Sequence, residues 1–312
     1  MFQSTFFFIL CLFFAAYIGF RSSKIGLCLV RGVERASRGK PSFLFAILFS
    51  GSFSWITIIL ANQFETHHFT AYELTIFPFL GGTLFGIGAA FNKGCGISTL
   101  TRLVRGESVM MATVIGWFIG WVLLTPFVQT IEQQKTSYDY HTQAIFLFVI
   151  SITVLVAMSR FTRKNRRIWR DMLTIGFIAS IVYLFEPNWT PSGLLQGISE
   201  TILADQLSIF QPHKWLAFER FALVGCLLIG MFYAAYSQKL FKLQIASFNH
   251  HLFHILSGIL MGIGAVIAGG GNDSQLLIGL PALSPASFAS ILSMMFGIFV
   301  GLKMKQRLIS QG

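Results

Sequence analysis

Long apolar runs separated by short polar segments dominate the sequence. We assign nine of these runs as membrane-spanning helices, although several are shorter than the roughly 20 residues that a bilayer requires. They lie at 5–20, 42–61, 74–91, 109–130, 142–160, 171–186, 215–236, 252–268 and 285–302. The pattern predicts an all-α polytopic membrane protein of about nine transmembrane helices, forming a single integral membrane domain over residues 1–312.

Four polar or glycine-rich breaks interrupt this pattern, each between an apolar helix and a short helix. They lie at 21–28, 92–96, 186–193 and 269–274. Irregular backbone at membrane depth is tolerated only where it is buried in protein or lines a polar cavity. The breaks therefore predict short broken or re-entrant helices that line a functional site.

The breaks occur at corresponding places in the two halves of the chain. The Gly-Ile-Gly-Ala-Ala sequence at 86–90 is similar to Gly-Ile-Gly-Ala-Val at 262–266, and a break follows each. We predict a first repeat at about 1–130, a connecting span and basic loop at about 142–170, and a second repeat at about 171–312. Five spans, an odd number, precede the second repeat, so this repeat is inverted relative to the first. Interrupted helices in inverted repeats indicate a transport site around a central path.

The charge distribution predicts the orientation in the membrane. Only 11% of the 312 residues are charged, against about 25% in soluble domains, and the formal net charge is +11. With the N-terminus outside and nine alternating spans, all Lys and Arg except Lys135, Lys214 and Arg220 fall on the inner side, as the positive-inside rule requires. We predict a bacterial inner membrane protein with a cytoplasmic C-terminus, and the bilayer rather than nucleic acid explains the charge.

The break at 92–96 combines a cation and a thiol, Lys93 and Cys95, within a glycine-rich segment. A helix that begins at such a break directs backbone N–H groups and a partial positive charge towards the polar space. The same holds for a helix that begins near Asn272. This chemistry suits a small anion, whereas Asp273 opposes it unless this side chain caps its helix or pairs with a cation.

The four cysteines fall into two classes. Cys11 and Cys226 lie in uniformly apolar spans and are expected to pack as small hydrophobic residues. Cys28 and Cys95 lie in breaks beside basic residues, where a positive field polarises the thiol. Their inward-facing position argues against a disulfide between them. The spacing of Cys and His residues matches no metal site, so we predict neither a metal nor a cofactor.

The sequence carries no Ser/His/Asp arrangement, carboxylate pair, P-loop or dinucleotide fingerprint. We therefore predict that the protein is not an enzyme and has no catalytic residues. If it transports a solute, it is a secondary carrier or a channel. A non-transporting membrane anchor is a further alternative, but polar broken helices are costly without a cavity to line.

At these breaks the chain resembles the YeeE/YedE family of bacterial sulfur-transport membrane proteins. The likeness lies in 19–28, in 86–106 around Lys93-Gly94-Cys95-Gly96, and in 258–272, which ends in Gly269-Gly270-Gly271-Asn272. Cys28 and Cys95 match two family cysteines, and Gly271 stands where the family has a third.

The resemblance implies a permease for a small sulfur-containing anion, thiosulfate or a related ion, passed along cysteines and helix N-termini. It also implies a cytoplasmic sulfurtransferase-like partner. The alternative is a membrane sulfur-handling or redox component that carries sulfur on Cys28 or Cys95 for a partner enzyme. The predicted substrate-binding residues are Cys28, Lys93, Gly94, Cys95, Gly96, Gly270, Gly271 and Asn272.

Overall fold

The computed structural model describes residues 5–128, 134–136, 138–207 and 216–310, which fold almost entirely as helices. The helices are α1 (Thr5–Ile25), α2 (Leu29–Ser37), α3 (Ser42–Leu48), α4 (Trp55–Gln63), α5 (Phe77–Asn92), α6 (Gly96–Val104), α7 (Val109–Val128), α8 (Tyr140–Ser159), α9 (Arg163–Phe185), α10 (Pro191–Leu207), α11 (Phe218–Ser237), α12 (Phe248–Ala268), α13 (Asn272–Ser274) and α14 (Pro285–Ser310). A 3₁₀ turn (Ser50–Ser54) joins α3 to α4, and a π-helical turn (Gln275–Gly279) continues α13. Two short strands, β1 (Ala71–Tyr72) and β2 (Lys135–Thr136), pair antiparallel.

Eight segments of the described chain are long and apolar enough to cross a membrane, which confirms the all-α polytopic class. They are α1 with α2, the segment Ser42–Gln63, α7, α8, α9, α11, α12 and α14. The ninth predicted span, 74–91, forms α5, which has only 16 residues. At 1.5 Å per residue α5 is about 24 Å long, somewhat less than the hydrocarbon core of about 30 Å.

The breaks are shorter than the sequence predicts. They cover only 26–28, 93–95, 186–190 and 269–271, and α10, with 17 residues, is not a short helix. The expectation of a break at 21–25 was wrong, because α1 continues through Ile25 and polar side chains of this segment have partners there. Arg21 forms an ion pair with Asp171 of α9, and the Ser22 hydroxyl donates to the Gly19 carbonyl.

The helices that precede the second break of each half end in the same way. Lys93 after α5 and Gly269 after α12 both adopt left-handed backbone conformations, with φ of 56° and 73°. The next N–H in each case donates to a carbonyl five residues back, from Gly94 to Ala89 and from Gly270 to Ala265. This is the Schellman motif, which satisfies carbonyls that the helix itself leaves unpaired.

Glycines bring α5 into close backbone contact with α12. Gly81 faces the backbone of Gly264 and Ala268, whereas Gly88 faces that of Ser257. The two helices therefore run antiparallel. Small residues allow helices in a membrane to approach closely, and the resulting van der Waals contact stabilises the pair.

Two further helix pairs in this central group run parallel. In the pair of α5 and α14, Gly297 faces Thr83 and Gly301 faces Ala90. In the pair of α7 and α12, Gly116 faces Ile255 and Gly120 faces Ile259, and their directions are again the same.

The outer helices also form parallel and antiparallel pairs. α1 is parallel to α11, since Gly230 faces Ala16 and the rings of Phe20 and Tyr233 are 5.9 Å apart. α9 is parallel to the segment Ser42–Gln63, because the Trp169 indole donates to Ser42 at 3.1 Å and Gly176 faces Ser50. α1 and α9 are antiparallel, with aromatic contacts near Phe185 at one end and the Arg21–Asp171 ion pair at the other.

Candidate functional site

The thiols of Cys28 and Cys95 lie side by side in a buried cluster. Both cysteines are free, they are 7% and 1% exposed, and their side chains are close enough to interact. The sulfur of Cys95 also accepts the Leu29 N–H at 3.4 Å and the Ser98 hydroxyl at 3.6 Å. The structure therefore brings together the two cysteines that the sequence singled out.

The local backbone explains why these thiols meet. Cys28 and Cys95 occupy the N-cap positions of α2 and α6, and both have extended backbone conformations. The first N–H groups of a helix have no partner within it, and the helix dipole is positive at that end. Both sulfur atoms thus lie at the positive ends of helices, and the Leu29 N–H of α2 is directed at the Cys95 thiol.

The N-terminus of α6 is not left free, in contrast to the expectation from the sequence. The Gly96 N–H donates to Oδ1 of Asn272 at 3.1 Å, and Asn272 is only 2% exposed. A backbone donor predicted to face the anion is therefore paired with a side chain from the other half. Gly94 lies next to this contact, and a Cβ there would be 2.8 Å from the Ser98 hydroxyl.

A cluster of hydroxyls and one carboxyl occupies the second half of the site. Asp273 accepts the Ser192 N–H at 2.9 Å and the Ser192 hydroxyl at 2.7 Å. The Ser274 hydroxyl lies 2.8 Å from that of Ser192 and 2.7 Å from that of Thr190. Asp273 thus caps α10 rather than pairing with a cation, and no ion pair found in the described part of the chain includes it.

The position of Gly271 is set by this cluster. A Cβ on Gly271 would lie 2.7 Å from a carboxylate oxygen of Asp273 and 2.9 Å from the Ser192 Cβ. A larger side chain therefore cannot be added without displacing the Asp273–Ser192 pair. Gly270, with φ of 148°, adopts a conformation that side chains rarely take.

Three cavities surround these clusters. The smallest, of about 20 Å³, lies between apolar side chains and is bordered by Cys95, Asn272 and Asp273. It has room for about one water molecule. A cavity of about 550 Å³ borders Cys28 and Leu302, and another of about 530 Å³ borders Ser274 and Ser287. We call these two the basic cavity and the hydroxyl cavity. They lie towards opposite ends of α14, since Ser287 and Leu302 are about 22 Å apart along that helix.

The basic cavity is lined by five cations and one carboxylate: Arg31, Lys93, Arg102, Arg105, Lys305 and Glu34. Several of these cations also hold the protein together. Arg102 binds Glu107 through two nitrogens and donates to the Asn92 carbonyl at 3.0 Å, and Lys305 donates to the Phe91 carbonyl at 3.0 Å. Lys93 is exposed at the mouth of this cavity.

Sequence reasoning missed the hydroxyl residues of the site. Ser98 had a usable signal, because it follows Cys95 by three residues and so lies on the same face of α6 one turn later. Ser192 and Ser274 had none, because only the fold brings the start of α10 against α13. Arg102, which belongs to the segment that carries the family resemblance, and Lys305, which counted only towards the topology, were not predicted as site residues, although both line the basic cavity.

Comparison with known proteins identifies the family of this chain. The sequence model of the family described as Sulphur transport matches residues 27–300. The chain is 23% identical to the thiosulfate transporter TsuA of Escherichia coli (strain K12), over 91% of this chain and 90% of that protein. It is 24% identical to the thiosulfate transporter TsuA of Spirochaeta thermophila, over 83% of this chain and 87% of that protein. The chain therefore belongs to the YeeE/YedE family of sulphur transport proteins.

Proposed function

We propose that this protein is a permease that takes thiosulfate, or a related small sulfur anion, across the bacterial inner membrane into the cytoplasm. Family membership and the names of both relatives support sulfur transport as the activity. The observation that carries the proposal is the position of the Cys28–Cys95 pair. These thiols lie at two helix N-termini, where Cys28 borders the basic cavity and Cys95 borders the smallest cavity.

The proposed path leads from the hydroxyl cavity through the smallest cavity to the basic cavity. A dianion that leaves water needs hydrogen-bond donors in place of its hydration shell. The thiols of Cys28 and Cys95, the Leu29 N–H and the Ser98 hydroxyl are donors of this kind. No covalent step is required, because each donor can bind a sulfur or oxygen atom of the anion and release it to the next.

The predicted repeats at about 1–130 and 171–312 are part of the proposal. Exchanging the halves pairs α1 with α9, the segment Ser42–Gln63 with α11, α5 with α12, and α7 with α14. Under this exchange the pair α5–α14 corresponds to the pair α12–α7, and both pairs are parallel. The pair α1–α11 corresponds in the same way to α9 with the segment Ser42–Gln63, and both of these are parallel too. Both helix pairs that map onto themselves, α5–α12 and α1–α9, are antiparallel, as a two-fold axis in the membrane plane requires.

The basic cavity is proposed to be the cytoplasmic exit, with the N-terminus outside and the C-terminus inside. Its cations attract the dianion once it has passed Cys28. A cytoplasmic sulfurtransferase-like protein is the proposed recipient on this side. The cations attract the anion but do not drive its net uptake. An inside-negative membrane potential opposes inward movement of an anion by roughly 2.3 kcal/mol per charge per 100 mV.

A second candidate function is sulfur handling, in which Cys28 or Cys95 carries sulfur for a partner enzyme. The free state and close contact of the two thiols favour it. In this chemistry a thiolate attacks the outer sulfur of thiosulfate, the S–S bond breaks and sulfite leaves. Intact mass after exposure to thiosulfate separates the two functions. A one-sulfur adduct that reductant removes supports sulfur handling, and unchanged mass during active uptake supports the permease.

The experiment that tests the permease is growth on thiosulfate as the sole sulfur source, in a bacterium that lacks its own uptake systems. We expect rescue by the wild type, no rescue by Cys95→Ala, and full rescue by Cys226→Ala. Cys226 is the matched control because it lies on α11, away from the three cavities. Rescue by Cys95→Ala at equal protein level would contradict the role of this thiol. Failure of the wild type, with protein in the membrane, would contradict thiosulfate as the substrate.

A further inference from the structure

Asp273 is a buried carboxyl group that the proposed anion path does not explain. It is 1% exposed and borders the smallest cavity together with Cys95 and Asn272. A negative charge at this point repels a dianion in the same cavity. An ionisable residue buried inside a transport protein is by default a functional site, with proton relay among its attested roles.

A chain of hydroxyl groups connects Asp273 to the hydroxyl cavity. The Ser192 hydroxyl donates to Asp273 at 2.7 Å and lies 2.8 Å from the Ser274 hydroxyl, and Ser274 lines that cavity. The Thr190 hydroxyl, 2.7 Å from that of Ser274, extends the chain. Each hydroxyl both donates and accepts, so a proton that enters at Ser274 can displace one onto Ser192 and then onto Asp273.

The helices packed around Asp273 bring few other charges to it. α6 contributes the Cys95 thiol at the same cavity. α9 contributes Asp171, whose charge Arg21 compensates, and Tyr183, which lines the hydroxyl cavity together with Glu200 of α10. The segment between α4 and α5 adds His67, His68 and Tyr72 to the lining of the same cavity. The 3₁₀ turn carries no titratable side chain, and the described basic residues of α14 begin at 303, far from Asp273.

We propose that Asp273 binds the proton that couples anion uptake to proton entry, an inference that rests on the proposed function. A proton from the outer side passes through Ser274 and Ser192 and neutralises Asp273. With the carboxylate neutralised, an anion that passes Cys95 meets no repulsion from Asp273. When the path opens to the basic cavity, the anion and the proton both leave to the cytoplasm. In this relay the Ser274 and Ser192 hydroxyls each gain one O–H bond as they give up another, and at Asp273 one O–H bond forms and later breaks.

This arrangement also accounts for Gly271, where the family resemblance places a third cysteine. The space that a side chain at 271 would occupy is filled by the Asp273–Ser192 pair. A carboxyl that takes a proton thus stands where the resemblance implies a thiol donor.

The test uses the purified full-length protein in liposomes that contain a pH-sensitive dye. The membrane potential is held at zero with potassium and valinomycin. Addition of thiosulfate outside is expected to acidify the interior. For one proton per thiosulfate, an outside pH one unit lower is expected to give about tenfold accumulation of labelled thiosulfate.

Variants separate coupling from binding. Asp273→Asn keeps an acceptor for the Ser192 N–H, and we expect it to retain thiosulfate exchange between equal pools and to lose accumulation driven by the pH gradient. Glu219→Gln is the matched control. It removes another carboxyl, in the first turn of α11, that lines none of the three cavities, and is expected to accumulate thiosulfate as the wild type does. Ser192→Ala interrupts the hydroxyl chain and is expected to slow gradient-driven uptake with exchange retained.

The outcomes distinguish the two proposals. Thiosulfate exchange by the wild type without proton entry overturns the role of Asp273 and leaves the permease intact. Absence of thiosulfate exchange in the wild type overturns the permease and the coupling together. Gradient-driven accumulation by Asp273→Asn at the wild-type level also overturns the coupling role. If Asp273→Asn does not fold, proton entry with the wild type and the behaviour of Ser192→Ala decide the question.

Discussion

Lys93 adopts a backbone conformation that lysine rarely takes. Its φ of 56° lies in the left-handed region, where a side chain costs roughly 1–2 kcal/mol, and Gly269 occupies the same position in the second half. A glycine would end α5 equally well. Strain of this kind is typical of functional positions, which agrees with a role for the Lys93 ammonium group at the mouth of the basic cavity.

Replacing Lys93 by Gly tests this interpretation. Lys93→Gly is expected to raise the free energy of unfolding by about 1 kcal/mol, because glycine adopts this conformation without strain. It is also expected to lower the initial rate of thiosulfate uptake several-fold, because a cation is lost from the basic cavity. Thermal unfolding and uptake in liposomes measure the two effects.

The matched control is Lys239→Gly. Lys239 also has a φ of 56°, in the turn after α11, and lines none of the three cavities. This variant is expected to gain similar stability and to transport at the wild-type rate. Equal loss of uptake in both variants would show that backbone freedom, rather than the Lys93 charge, accounts for the effect.

The sequence identified the thiol half of the site but not the hydroxyl half. Cys28 and Cys95 were recognisable because a thiol beside a basic residue in a glycine-rich break is unusual. The sequence showed that the negative charge of Asp273 conflicts with an anion site. It did not identify the partner of Asp273, because Ser192 and Asp273 are 81 positions apart in the chain. Contacts at this separation depend on helix packing, which local sequence patterns do not encode.

At the scale of the elements, the antiparallel contact of α5 and α12 depends on backbone proximity. Gly264 faces the backbone of Phe85 and Gly81, so that no side chain can move aside to make space for a Cβ. Gly225 on α11 has no atom near the position that a Cβ would take. The two glycines therefore differ in their surroundings while both lie within transmembrane helices.

Gly264→Leu is accordingly expected to destabilise the fold by about 3 kcal/mol or more, at or above the upper part of the range for overpacked cores. Gly225→Leu is expected to change stability by less than about 1 kcal/mol. Thermal unfolding in detergent, followed by size-exclusion chromatography, compares the two. Similar melting temperatures for Gly264→Leu and Gly225→Leu would contradict the close contact of α5 and α12.

The existence of the helices was predictable from the sequence, but their ends were not. Apolar runs marked eight spans and α5, because a bilayer requires long apolar stretches in any membrane helix. The break at 21–25 was misassigned because a serine pair and an arginine indicate a loop until their partners are known. The length of α10 was missed for the same reason, since its polar residues 196–201 face other helices and the hydroxyl cavity.

At the scale of the whole molecule, α5 determines on which side the C-terminus lies. α5 is the shortest of the nine spans, but α12 and α14 flank it along its length from Gly81 to Ala90. α5 therefore extends through much of the membrane thickness that the longer helices α12 and α14 cross. The proposed count of nine spans puts the two termini on opposite sides, and with the positive-inside rule it leads to the proposed cytoplasmic position of the basic cavity.

Cysteine labelling tests this orientation and the path together. Cys28 lines the basic cavity, whose cations attract an anionic, membrane-impermeant thiol reagent. In a Cys11→Ala, Cys226→Ala background, the reagent is expected to block uptake several-fold faster when applied to the C-terminal face than to the N-terminal face. Thiosulfate is expected to slow the block, because it competes for the same thiols, whereas sodium chloride at equal ionic strength is not. Block from the N-terminal face alone would place Cys28 on the entry side, and the proposed direction of the path would then be reversed.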